Sequence, residues 1–185
     1  MSHSNIYPFK TRPYAHQREA WELSKEKDEF ALFMDMGTGK SKVIIDTIAY
    51  LYDRGKIDAA LIVAPKGTYQ NWTRNELPVH LPDHIQVRTA AWSASPKKEE
   101  AKQLEKILSV SHDLRILVMN VEAFSTPKGT KFAQTFMRCT GNTIMVVDES
   151  TTIKNPKAQR TKNVIKTGIQ AKFRRILTGE PVTRS

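Results

Sequence analysis

The stretch Met34-Asp35-Met36-Gly37-Thr38-Gly39-Lys40-Ser41 holds the residue types that bind a polyphosphate. Gly37 and Gly39 let the backbone curl so that successive N–H groups face phosphate oxygens, and a helix opening at Lys40 adds the positive end of its dipole. Lys40 would neutralise the β- and γ-phosphates, and the Ser41 hydroxyl would reach a bound Mg²⁺. Met36, Gly37, Thr38 and Gly39 complete this candidate nucleotide loop. The strict pattern G-x-x-x-x-G-K-[ST] wants glycine where this chain has Met34, so the context has to carry the reading. An apolar run, Phe30 to Met34, precedes the loop, and Val43, Ile44, Thr47, Ile48 and Leu51 follow it at helical spacing.

A second chemical element lies far downstream. Asp148-Glu149 closes the apolar run Ile144 to Val147, at the C-terminal end of a strand, where ligands bind in open α/β sheets. Asp148 would hold Mg²⁺, largely through water, and Glu149 would orient and partly deprotonate a water attacking the γ-phosphate. Alone, the loop suits a kinase, a GTPase or a motor, and two adjacent acids make an ordinary solvated strand end. Together they require that Lys40 and the two carboxylates converge within about 15 Å around one triphosphate.

The elements that must position these groups are legible as alternating short apolar runs and helix-periodic stretches, the pattern of a parallel sheet covered on both faces. Strands are predicted at Phe30–Met34, Ala60–Ala64, Ile85–Thr89, Arg115–Met119, Thr143–Val147 and Arg174–Leu177. Helices are predicted at Pro13–Lys25, Lys40–Tyr52, Tyr69–Leu77, Pro96–Leu108, Thr130–Met137 and Lys157–Ile169, with Thr11 and Pro13 as the first helix start. No repeat or Gly/Ser linker divides the chain, so residues 1–9 read as an N-terminal arm and residues 10–185 as one domain.

Composition agrees with this reading. The 185 residues suffice for one α/β domain, and 39% hydrophobic with 26% charged residues is the balance of a globular protein. Lys and Arg number 29 against 19 Asp and Glu, a formal charge of +10 that favours a polyanionic partner. Cys139 is the only cysteine, which excludes an intrachain disulfide and points to a reducing, intracellular compartment. Apolar runs such as Ala59 to Ala64 fall far short of the roughly 20 residues that span a bilayer, so no membrane partner is expected.

Between Ser150 and Gly179 there is no acid, while Lys154, Lys157, Arg160, Lys162, Lys166, Lys172, Arg174 and Arg175 all fall there. Such a segment suits a nucleic-acid backbone, and a solvated helix face explains part of it equally well. Lys66-Gly67-Thr68, a turn before a helix, is a second candidate phosphate contact; a plain loop is the alternative. Trp72 and Trp92 read as buried packing rather than base-stacking platforms. His80 and His84 have the spacing of two metal ligands, but Pro82 interrupts the helix and no third ligand is evident. Cys139 reads as a small packing residue.

With Lys154-Asn155 after the acids and Leu177-Thr178-Gly179-Glu180-Pro181 beyond, the set resembles the first motor domain of superfamily two helicases and translocases, the Swi/Snf-type DNA translocases above all. His16-Gln17 with Glu19-Ala20 resembles the upstream motif whose glutamine reads adenine. Simple surface exposure is the alternative for Gln17. Ile62 to Pro65 with Asn71-Trp72 resembles motif Ia, and Val118 to Glu122 resembles motif Ib more loosely. Thr151 and Glu180 stand where the family has His and Thr.

The resemblance implies a three-layer P-loop, RecA-like α/β domain with a central, mostly parallel sheet. It implies ATP and Mg²⁺ as cofactors and nucleic acid, duplex DNA first, as partner. Lys66, Gly67, Thr68 and Lys154 would meet the nucleic acid, and Thr178-Gly179 would relay that contact. It also implies a second RecA-like domain, in cis or in trans, that supplies arginine fingers. These are worth about 10³ to 10⁵ in rate in related phosphoryl transfers, so the chain alone is expected to bind ATP and hydrolyse it feebly. Two other readings stay open: a P-loop ATPase or kinase with no nucleic-acid role, and a catalytically silent basic scaffold.

Overall fold

Alternation of side chains along β2 (Ala59–Ala64) builds both halves of the core. Ala60, Ile62 and Ala64 enter one buried cluster, and Ala59, Leu61 and Val63 enter the other on the opposite face. A strand buried on both faces has no polar positions, which is why its sequence is a continuous apolar run. The computed structural model describes residues 6–35 and 38–179. Met36, Gly37, Glu180 and Pro181, invoked above, lie outside them.

Around β2 stand β1 (Glu29–Phe33), β3 (Val87–Ala91), β4 (Leu114–Asn120), β5 (Thr143–Val147) and β6 (Phe173–Thr178). They form one sheet in the order β1-β6-β5-β2-β4-β3, with every pairing parallel. The expected α/β sheet is therefore present, and all-parallel. Helices α1 (Ala15–Ser24) and α2 (Lys40–Asp53) cover one face, together with a composite helix of α3 (Tyr69–Asn71), a π turn (Trp72–Glu76) and α4 (Leu77–His80). Helices α5 (Lys98–Leu108), α6 (Pro127–Cys139) and α7 (Gln159–Ile169) cover the other. Among the described residues no helix is long and apolar enough to cross a membrane.

Several details depart from the sequence reading. Thr11 does not cap the first helix, which begins at Ala15; its hydroxyl lies 2.7 Å from His80 Nδ1 instead. The third helix runs on past Leu77 to His80, and the chain passes Pro78 by loosening into the π turn, with Leu77 N–H bonded to Trp72 O. Pro78 has no N–H to donate and its ring crowds the preceding turn, which gives the wider turn its physical cause. Residues 6–9 of the expected arm lie on the domain: Phe9 packs edge-on against Trp21, Tyr7 packs edge-on against Tyr50, and Tyr7 donates to Asp53 at 2.7 Å.

Arginines at the far ends of the strands serve the helix C-termini, whose last carbonyls have no intrahelical partner. Arg175, 1% exposed, donates to Ser24 O at 2.7 Å, at the end of α1. Arg115 donates to Ser109 O and Cys139 O at the ends of α5 and α6, at 2.9 and 3.1 Å, and Arg174 donates to Gly168 O in α7 at 3.0 Å. Burial lowers the Arg175 pKa to about 10, still far above neutrality, so its charge persists.

Inside α2, Lys42 and Asp46 form a buried pair at 2.7 Å, with side chains 4% and 2% exposed. Burial pushes the Asp46 pKa up to about 6 although the Lys42 hydrogen bond and charge act to lower it. A carboxylate raised in this way makes its pH-dependent contribution to stability fully below its unfolded value near 4, and loses it as pH rises through 6. Lys42→Met removes the hydrogen bond and the charge that lower the Asp46 pKa, so the acid stays protonated to a higher pH and the variant forgoes the ionisation the parent gains between pH 6 and 7. We therefore expect Lys42→Met to cost about 1 kcal/mol more in unfolding free energy at pH 7 than at pH 5. Urea titrations at the two pH values read the difference directly, and equal losses would contradict it.

Candidate functional site

Parallel register places the functional loops side by side. Phe33 lies opposite Thr178, Val147 opposite both Ile176 and Val63, and Ala64 opposite Asn120. Strands β1, β6, β5, β2 and β4 thus finish along one rim. The candidate nucleotide loop, the turn after β2 and the acidic pair after β5 all leave from it.

Lys40 Nζ donates to Met34 O at 3.2 Å and stands 3.9 Å from Glu149 Oε1. The lysine and the carboxylate couple, far apart in sequence, therefore meet well inside the limit that one triphosphate sets. The asymmetry of exposure matters, because the lysine side chain is 11% exposed and that of Glu149 is 40%. Coulomb attraction is less screened for the partly buried lysine, while the acid keeps access to water.

Asp148 is held from two directions. Its N–H donates to Val63 O at 2.7 Å, and Trp72 Nε1–H donates to its Oδ2 at 3.2 Å. Burial holds its carboxyl above the usual range; the Trp72 bond counters this, the Glu149 charge adds to it, and the Lys40 charge lowers it. The next residue, Glu149, has φ 54°, ψ 62°, the one positive φ outside glycine among the described residues. A left-handed residue bearing a Cβ stores about 1–2 kcal/mol, here where the chain turns from β5 into the short 3₁₀ turn Ser150–Ile153.

Gly39, at φ 79°, caps α2, and a Cβ there would collide with the Gln17 amide. Gln17 is 5% exposed, so surface exposure does not describe it. Its Nε2 donates to Thr38 O at 3.2 Å and its Oε1 accepts from Tyr14 N–H at 2.9 Å, clamping the start of α1 to the segment before α2. His16 Nε2 lies 3.0 Å from the same Thr38 carbonyl. Thr38 in turn donates through its hydroxyl to Asp35 O. Ser41 sits half-buried in the first turn of α2.

Other expectations divide. Lys66, Gly67 and Thr68 are exposed on the rim, and so is Lys154 beyond the acids. Thr178 ends β6 and is buried, with Gly179 half-buried after it. The acid-free segment is not one basic face: Arg175 is internal, and Arg174 pairs with Glu29 through an Nε bond of 2.9 Å. Lys157, Lys162, Lys166 and Lys172 remain exposed. Trp72 and Trp92 are buried as read, 2% and 5% exposed. His80 faces Thr11 and Glu76, and His84 faces Asp53 at 2.8 Å. Cys139 is exposed, so it is no packing residue; it ends α6, where the chain turns toward β5. The residue that sequence reasoning missed is Trp72 as a donor to Asp148. Its position three residues after Tyr69 announces burial, and nothing local announces its partner across the sheet.

No cluster of three or more His, Cys, Asp or Glu suited to a metal occurs among the described residues. Asp148 beside Glu149 nevertheless fits Mg²⁺, which takes one or two protein carboxylates and draws its other oxygens from water and phosphate. A half-buried carboxylate with a second acid alongside is the environment a dication relieves.

Residues 16–185 match the SNF2-related domain family. The chain is 28% identical over 166 residues to the ATP-dependent helicase FUN30 of Saccharomyces cerevisiae, covering 86% of itself and 13% of that protein. It is 31% identical over 183 residues to Protein CHROMATIN REMODELING 24 of Arabidopsis thaliana, covering 93% of itself and 16% of that protein. It thus spans under a fifth of these relatives. The Sulfolobus solfataricus SWI2/SNF2 ATPase core in complex with dsDNA shares its fold, at TM-score 0.70 and 20% identity, over 97% of this chain and 34% of that one.

The strain at residue 149 is separable from its charge. Glu149→Gly should unfold about 1 kcal/mol less readily than Glu149→Ala, since both lack the carboxylate and only glycine tolerates φ 54° without cost. Denaturant melts of the two variants measure it, and equal stabilities would show that the turn relaxes.

Proposed function

The chain belongs to the SNF2-related domain family, and from that premise we propose that it is the ATP-binding first RecA-like domain of a motor that travels on nucleic acid, duplex DNA in the first place. One observation carries the reading: the 3.9 Å approach of Lys40 to Glu149 on the rim where the nucleotide loop and the acidic pair both end. Relatives named ATP-dependent helicases and a solved SWI2/SNF2 core bearing dsDNA support it.

In this reading Lys40 leaves Met34 O and Glu149 to lie against the β- and γ-phosphates, with the N–H groups opening α2 donating to their oxygens. Asp148 and Ser41 would hold Mg²⁺, which neutralises charge on the transferring phosphoryl group when bound. Glu149, aimed by its left-handed backbone, orients a water toward the γ-phosphorus and accepts its proton. Gln17 holds the loop from the adenine side. Exposed Lys66, Thr68 and Lys154 take backbone phosphates, which need positive charge and N–H or hydroxyl donors rather than base contacts. A second RecA-like domain closes on the exposed side of the rim and contributes arginine. The track is released when hydrolysis reopens the pair, and strand separation is not required for travel.

Lys40→Ala should abolish ATP binding by the chain. Glu149→Gln should retain it and block turnover when the second domain is supplied. ATP affinity unchanged in Lys40→Ala would support the silent scaffold. Turnover unaffected by duplex DNA at low salt would support an ATPase without a nucleic-acid role. Lys66→Ala and Lys154→Ala should each weaken duplex binding and lower the slope of log K against log salt by about one. Fluorescence anisotropy with a labelled duplex across a salt series reads that slope, and an unchanged slope removes the residue from the interface.

A further inference from the structure

Two buried indoles of this chain are treated differently. Trp21 Nε1 has no hydrogen-bond partner among the described residues, the cost of using a large ring simply to fill space. Trp72, 2% exposed, aims its N–H at Asp148 Oδ2. Fixing one oxygen of a planar carboxylate fixes the direction of the other, so the indole sets how Asp148 presents itself to the rim. Outer partners of this kind orient metal-holding carboxylates.

The indole also belongs to the element that starts at the candidate phosphate contact. Thr68 N–H and Tyr69 N–H both bond to Pro65 O, at 3.0 and 2.9 Å, and Thr68 O accepts from Asn71 N–H at 3.0 Å. Tyr69 OH donates to Trp92 O at 2.8 Å, pinning the first turn to the strand side. Turn and helix are thus one hydrogen-bonded piece, and Trp72 sits one helical turn beyond Thr68. The helix widens to i→i+5 bonding at Trp72, where Leu77 N–H reaches Trp72 O. Meanwhile the Asp148 backbone is tied separately to β2. Movement of the turn therefore changes the indole's distance to a carboxylate whose main chain stays put.

We propose that Trp72 is a positioning residue that couples phosphate contact at Lys66-Gly67-Thr68 to the orientation of the Asp148 carboxylate, so that nucleic-acid binding alters how firmly the site holds Mg²⁺. The inference rests on the reading of Asp148 as a Mg²⁺ holder. Trp72→Phe keeps an aromatic ring, deletes the N–H donor and gives up the volume of the indole's second ring, which is why the ATP affinity in chelator is read alongside. The test is ATP binding by the whole chain in a Mg²⁺ titration, with and without a short DNA duplex at low salt, after near-ultraviolet circular dichroism shows the variant folded.

In the unsubstituted chain the duplex should shift the Mg²⁺ midpoint. In Trp72→Phe the midpoint should rise about tenfold, the duplex shift should vanish, and ATP affinity in chelator should stay unchanged. An unaltered Mg²⁺ midpoint, or a duplex shift of the same size in the variant, overturns the proposal, as does the lack of any shift in the parent. A lowered ATP affinity in chelator would mean a merely structural role and overturns it too. Lack of Mg²⁺-dependent ATP binding in the parent chain would instead overturn the functional reading itself.

Discussion

Strands that run parallel and end level with one another must deliver every outgoing loop to the same edge, and the chemistry of this domain depends on that constraint. Lys40 follows β1 and Glu149 follows β5, with β6 between the two strands. Neither loop is held to the other by sequence proximity. Their approach to 3.9 Å follows from the registers of β1 with β6 and β6 with β5. A slip of one residue in either pairing would invert which side chains face the core. The alternation in β6, where Phe173, Arg175 and Leu177 are buried while Arg174 and Ile176 are less so, opposes such a slip, so the packing that stabilises the sheet also sets the distances in the site.

Local strain and local clamping refine what the register makes approximate. Gly39 turns left-handed under the Gln17 amide, while Glu149 turns left-handed with a side chain it must keep. The first costs little because glycine has no Cβ. The second is tolerated because β5 on one side and the 3₁₀ turn on the other over-determine the backbone. The acid is thereby aimed across the rim toward Lys40.

Most of the architecture was legible because it is written in periodicity: each of the six strands and six helical stretches read from the sequence overlaps an element of the fold. Boundaries failed where a side chain took a tertiary partner instead of a local one. Ile85 packs into the core from a turn closed by its own N–H on Pro82 O, so β3 starts later, at Val87. Thr11 bonds His80 rather than capping α1. In the site, the lysine, the loop threonine and glycine, and both acids were readable from residue type and spacing. The Trp72–Asp148 bond was not, since it joins residues 76 apart and depends on β2 and β5 being neighbours. Arg174 and Arg175 were misread for the same reason: a one-signed run in sequence says nothing of which members meet helix carbonyls.

Those arginines expose a polarity of the whole domain. In a parallel sheet with returning helices, helix N-termini gather at the strand C-terminal rim and helix C-termini at the opposite one. The dipoles make the first rim electropositive and the second electronegative before any side chain is counted. Arg115, Arg174 and Arg175 lie at the electronegative rim and satisfy carbonyls that end α1, α5, α6 and α7. Buried or paired there, they add to the net charge of +10 without contributing to an anion site. On the other rim, where helix N-termini already favour phosphate, the proposed motor would draw on a smaller set, Lys40 within the rim and Lys66 and Lys154 around it. Net charge alone therefore overstates the surface a polyanion could use, because the charges that end helices at the electronegative rim are already engaged by carbonyls.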